Sequence, residues 1–292
     1  MSLETTILPI VISFITTWAT IYLKSKWDER THESKLNIEH TLSEKKKIKE
    51  SISKYKVQMM NSCEILNHRL WNLAEHKDKK WHFVDGHYYK ESKYYFHSFI
   101  YRLASVIWWS NKIEKELIYL DTTIADEEDL YFLKFCKFIN ITLSQVKLYE
   151  NLEYDGSSDV DHFYHHKLEQ QVSCLSNDTK DNLVGYNDYE KDLIKYLKSM
   201  DGLCKFIDGI HPSEDRLRWN RIYSLHLILI AFLNNYGYDF QKTSEKQIEE
   251  IISFMKMSKN YEVILKNLKT LLVKYKLGEN QEIKKIIDRM NV

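Results

Sequence analysis

Apolar residues fall along this chain in three patterns, and each predicts a different stretch of helix. The first is unbroken: residues 5–23, TTILPIVISFITTWATIYL, carry no charge. At about 1.5 Å rise per residue such a helix is about 28 Å long, close to the roughly 30 Å hydrocarbon core of a bilayer. Ser13, Thr16, Thr17 and Thr20 interrupt it, but hydroxyls that bond back to helix carbonyls are tolerated in lipid. Trp18 and Tyr22 fall near the end that meets Lys24 and Lys26, where interfacial aromatics belong. The pattern predicts a single membrane anchor over residues 1–23, with Ile7, Pro9, Phe14, Trp18, Tyr22 and Leu23 among its residues.

The second pattern is sparse. Residues 24–47 hold large apolar side chains only at Trp27, Leu36, Ile38 and Leu42 among many Lys, Glu and Ser. That composition predicts a solvated helical stalk. Neither Gly nor Pro occurs from 10 to 85, so the membrane helix has nothing to stop it running on. The third pattern starts at Ile48. Ile52, Tyr55, Met59, Cys63, Leu66, Leu70 and Leu73 recur at spacings of three and four, one stripe of a helix packed into a domain. Ser62 and Arg69 would fall on the seam of a strict heptad, which argues against a long coiled coil.

The same signals predict the rest of a domain over 48–292. Residues 79–89, with Gly86, read as a connection with a short strand-like or hairpin piece. Residues 94–120 read as a core helix. Asp126, Glu127, Glu128 and Asp129 make an acidic first turn for a helix to about Leu148. Residues 151–186 are polar and read as loop around one short helix near 163–175. Asn187 caps a helix that Gly209 ends, and His211-Pro212-Ser213 opens the next, apolar on every side from Ile222 to Leu233. Three amphipathic helices occupy the remainder, near 244–257, 261–275 and 280–290. The fold class is therefore all-α: a transmembrane helix, a stalk and a multi-helix domain.

Composition supports long elements, because only seven Gly and two Pro occur in 292 residues. Lys24, Lys26 and Arg30 come after the apolar run and no basic side chain precedes it, so the positive-inside rule puts the N-terminus outside and the domain in the cytoplasm. Cys63, Cys136, Cys174 and Cys204 are widely spaced, as small buried residues of a reducing compartment would be. Net charge is zero. Residues 121–190 carry fifteen acids against five bases, and residues 256–292 nine bases against four acids. These read as solvated or mutually facing surfaces, so no nucleic acid is expected as a partner.

Two clusters suggest chemistry. Asp161, His162, His165 and His166 would, on a helix, place His162 with His166 and Asp161 with His165, a spacing able to hold zinc or iron. Arg221 and His226 lie five apart, and Arg69 and His76 seven apart. This arginine–histidine spacing resembles the active-site motif of HEPN-type ribonucleases, and the resemblance implies transition-state stabilisation by the arginine and general-base action by the histidine. The phosphate-binding loops GxGxxG and GxxxxGK[ST] are absent, as is GxSxG, so no small-molecule cofactor is expected. The reading that takes in most of the chain is a membrane-anchored interaction or effector protein, non-enzymatic and self-assembling or bound to a protein partner, with bacterial defence effectors as an analogy. The alternative is a tethered ribonuclease or metal-dependent hydrolase.

Overall fold

A computed structural model of the chain describes residues 4–90, 92–117, 122–177 and 182–290, with side chains from residue 13 onward. The described residues are all-α, with eleven α-helices and one minimal strand pair. In chain order these are α1 (Glu4–His76), α2 (Tyr94–Leu117), α3 (Glu127–Ser144), α4 (His165–Ser173), β1 (Ser176–Asn177), β2 (Asn182–Leu183), α5 (Tyr186–Lys191), α6 (Leu193–Ser199) and α7 (Asp201–Ile207). The last four are α8 (Arg218–Tyr236), α9 (Glu245–Lys256), α10 (Tyr261–Lys274) and α11 (Gln281–Arg289). Residues 1–50 and 120–125 form one compact unit, and residues 51–119 and 126–292 form a second.

In the first unit the hydroxyls of α1 turn inward on its own backbone. Thr16 and Thr17 donate to the Ser13 carbonyl at 3.0 and 2.7 Å, and Thr20 donates to the Thr16 carbonyl at 2.7 Å. Trp18 and Tyr22, one turn apart, stack with ring centroids at 5.8 Å. Phe14, Ile15, Trp18, Ile21, Tyr22 and Leu23 are all exposed. Among the described residues, no helix is long and apolar enough to cross a membrane. The side chains of residues 5–12, including Ile7 and Pro9, lie outside the described residues. Residues 13–23 alone make about 16 Å of helix, and charge returns at Lys24, Lys26, Asp28, Glu29 and Arg30.

In the second unit α8 is the centre. It has no solvent face: every residue from Arg218 to Leu233 is buried, and each one from Leu227 to Leu233 is apolar. It packs against α3, α9, α10 and α11, while α2 packs on α3, α4 and α7. The stripe of α1 from Ile52 to Leu73 is buried in this unit. Tyr55 meets Trp109 of α2, Trp71 meets His226 and Phe254, and the Tyr223 hydroxyl donates to the Leu70 carbonyl.

The connection from 77 to 93 holds no strand among its described residues. Its turn needs Asp85 and Gly86 at positive φ, 48° and 74°, a region glycine enters without strain. The Asp208 carboxylate accepts the N–H groups of Val84, Asp85 and Gly86 at 2.8, 3.3 and 2.8 Å. His82 Nε2 donates to the Ile210 carbonyl at 2.7 Å, pinning the loop a second time. Asp208→Ala should lower stability by about 2 kcal/mol, because three amides lose a charged acceptor. A urea midpoint lowered at unchanged slope is the expected reading, and an unchanged midpoint would show that the loop is held by His82 alone.

Candidate functional site

Arg221, His226 and Arg69 occupy packed interior, and each member of the two arginine–histidine pairs makes a structural contact. Arg221 is fully buried. Its Nε donates to the Tyr149 hydroxyl at 2.8 Å, Nη1 to the Thr142 carbonyl at 2.6 Å and Nη2 to the Gln145 carbonyl at 3.1 Å. The guanidinium also lies 4.2 Å over the Tyr149 ring. His226, one turn and a half along α8, donates from Nε2 to Asn67 Oδ1 at 2.7 Å, and its Nδ1 is buried without a partner. Burial pushes the His226 imidazole down to about 3. Such a ring is a poor general base near neutral pH, since a base must be poised near the working pH.

The second pair is no closer to a cleft. Arg69 is buried between α1 and α2, bonded to Ser98 Oγ at 2.8 Å and lying 4.1 Å over Tyr95. His76 stacks on Trp81 at 5.2 Å near the surface. A ribonuclease site would need these groups converging on an open space. The structure instead uses Arg221 and His226 in bonds within the packed interior around α8.

The histidine–aspartate cluster is divided in the same way. Helix α4 begins only at His165, so the helical spacing assumed for Asp161 and His162 does not exist. The Phe163 amide instead donates to the Leu143 carbonyl at 3.1 Å, tying this stretch to the end of α3. Asp161 turns inward, accepting Arg216 Nε at 2.6 Å and the Leu217 amide at 2.9 Å. His162 meets the Tyr154 hydroxyl at 2.6 Å, and burial holds its imidazole below the usual range. His165 and His166 remain exposed at the start of α4. Among the described residues no group of three or more His, Cys, Asp or Glu is arranged to hold a metal ion.

Two arrangements have no signal in the local sequence. His211 bridges Ser213 and Asp78, with Nδ1 2.6 Å from Ser213 Oγ and Nε2 3.3 Å from Asp78 Oδ1. The order matches a nucleophile, base and orienting acid. Yet the Ser213 amide also points at Nδ1, at 3.3 Å, so the ring caps its own turn, and Asp78 is solvated. The other is a polar cavity of about 310 Å³ beside Trp108, Asn111, Lys112, Lys115, Glu169 and Ser176. Its charges are paired, Lys115 with Glu169 at 2.6 Å and Lys112 with Glu116 at 2.9 Å. Both gather residues far apart in sequence, which no local spacing can signal. Set against protein-family models, curated proteins and solved structures, the chain matches none of them.

Proposed function

We propose that this chain is a membrane-attached helical interaction module, held at a bilayer by residues 5–23, with the residues that follow them on the cytoplasmic side. The observation that carries this reading is the bare apolar surface of α1. At 100° per residue, Phe14, Ile15, Trp18, Ile21, Tyr22 and Leu23 spread over an arc of about 200°, twice that of an ordinary amphipathic helix. All six are exposed, Phe14 to 78 %. The rest of the circumference belongs to Ser13, Thr16, Thr17 and Thr20, and the three threonine hydroxyls are satisfied by the helix itself. A helix apolar over one arc and self-satisfied over the other suits lipid better than water. Lys24, Lys26 and Arg30 supply the flanking charge that favours a cytoplasmic side for the rest of the chain.

The interaction role is supported by how the polar interior is used. Arg221, His226, Asp161 and His162 hold the fold together, which leaves the surface as the part available for work. Small hydroxyl residues at positions 13, 16, 17 and 20 would also allow two anchors to approach closely, in keeping with self-association.

Flotation of the full chain with phosphatidylcholine vesicles tests the reading. An aspartate near the middle of a span costs roughly 3 kcal/mol on insertion scales. The Ile15→Asp, Trp18→Asp double variant should therefore stay in the dense fraction while the unaltered chain floats. Flotation of both, or of neither, would sink the proposal.

A further inference from the structure

Three arginines are buried among the described residues, and one of them is treated unlike the others. Arg221 has a partner on every nitrogen. Arg218 forks onto the Glu214 carboxylate at 2.6–3.0 Å and donates to the Lys205 and Phe206 carbonyls. Arg69 is only 6 % exposed, yet one neutral hydroxyl, Ser98 Oγ, takes its Nη2, and its Nε is buried without a partner. Tyr95 lies beneath it, its ring worth about 2 kcal/mol at best and its hydroxyl a second neutral hydrogen-bond partner. Burying an uncompensated cation costs several kcal/mol, so this contact alone does not balance it.

A second guanidinium adds to the deficit. Arg102 lies four residues beyond Ser98, hence on the same side of α2 as the hydroxyl that Arg69 grips. Burial first, and Arg102 second, hold the Arg69 guanidinium below the ordinary arginine range. Among the described residues neither arginine has an ion-pair partner. Around them stand tyrosines: Tyr95 under Arg69, then Tyr94 and Tyr186 edge to face at 6.2 Å, with Tyr101 5.2 Å from Tyr186. Tyr94 is 57 % exposed, so the cluster opens to solvent on that side.

We propose that Arg69 and Arg102, rimmed by Tyr94 and Tyr186, bind the phosphate group of a small aromatic phosphate monoester. The charge count selects the ligand. A phosphate monoester is close to dianionic at pH 7 and has three acceptor oxygens, enough to face two guanidiniums at once. A carboxylate would neutralise only one of them. The exposed tyrosine rings give an aromatic ester group a surface to stack on.

Isothermal titration of the full chain in detergent with phenyl phosphate, inorganic phosphate and benzoate tests this. Phenyl phosphate should bind, and benzoate should bind at least roughly tenfold more weakly, because it leaves one guanidinium unpaired. Arg102 is half-buried, so Arg102→Gln should fold and lose roughly tenfold in affinity for phenyl phosphate. Tyr94→Leu should weaken phenyl phosphate several-fold and leave inorganic phosphate unchanged. Absence of phenyl phosphate binding, or equal binding by the unaltered chain and Arg102→Gln, would overturn the site.

Discussion

Acidification from pH 7 to pH 4 is expected to remove about 6 kcal/mol of stability from the unit of residues 51–119 and 126–292. Two histidines account for most of it. His82 is buried, with Nε2 donating to the Ile210 carbonyl, and burial pushes its imidazole down to about 4, with His211 and Arg218 adding in the same direction. His226 is pushed down to about 3 by burial alone. Protonation would put a second N–H on His226 at Nδ1, where no acceptor exists.

In the unfolded chain both rings take a proton near pH 6.5. The unfolded state therefore binds more protons than the folded one below that pH, and stability falls as pH falls. At 1.36 kcal/mol per pH unit, each contributes about 3 kcal/mol of loss by pH 4. His97 and His162, also held low by burial, act in the same direction. Glu114, raised by burial, acts in the opposite one. Surface carboxylates held low by lysines, such as Asp215 and Asp239, come into play only below about pH 4. Domains of ordinary stability have about 5–15 kcal/mol in hand. Cooperative unfolding between about pH 4 and 5, followed by tryptophan fluorescence and far-ultraviolet circular dichroism, is the expected result. In His226→Phe the slope of urea stability against pH should fall by about half between 6.5 and 4. A stability flat from pH 7 to about 4.5 would mean that these rings are already open to water.

Local signals placed most of the helices because their starts and stops are local. Ser244 caps α9 with Gln247 returning the bond, Asn280 caps α11, and acidic residues open α3. The long range from 187 to 209 shows where such signals run out. Asn187 and Gly209 predict one helix between them, whereas the chain forms α5, α6 and α7, with breaks at Asp192 and Met200. No Gly or Pro stands at either break, and the nearby Gly202 lies inside α7. Gln171, thirty-two residues away, accepts the Leu203 amide at 2.9 Å and so supports the start of α7. In the same way α8 begins at Arg218 and not just after Pro212, because Asp161 holds the Leu217 amide. The candidate chemistry is illegible for a related reason. Spacing on an ideal helix gathers Asp161 with His165, but the helix begins only at His165. Arg69 stands out in the sequence for its distance to His76, while its contacts are with Ser98 and Tyr95 on another helix.

Arg221→Met should cost roughly 3–5 kcal/mol, a loss that identifies the arginine as a fastener of the fold and not as a catalyst. Helix α3 ends at Ser144, so the carbonyls of its last turn have no partner within the helix. Arg221 supplies one to Thr142 and another to Gln145 just beyond, and its charge opposes the negative end of the helix dipole. A third bond goes to the Tyr149 hydroxyl, which itself donates to the Asp161 carbonyl. One guanidinium thus joins α8 to the end of α3 and to the loop that carries Asp161. Methionine fills much of the same volume, so little of the loss comes from a cavity. What remains is the desolvation of two or three orphaned acceptors, at about 1–3 kcal/mol each, offset by the relief of no longer burying a charge. Lysine keeps the charge but reaches at most one or two of the three acceptors, so Arg221→Lys should fall between the other two chains. The urea midpoint should drop by roughly 1–2 M for Arg221→Met. A methionine chain within about 1 kcal/mol of the original, yet altered in cleavage of RNA, would restore the ribonuclease reading; a large loss of stability with no RNA cleavage by the unaltered chain closes it.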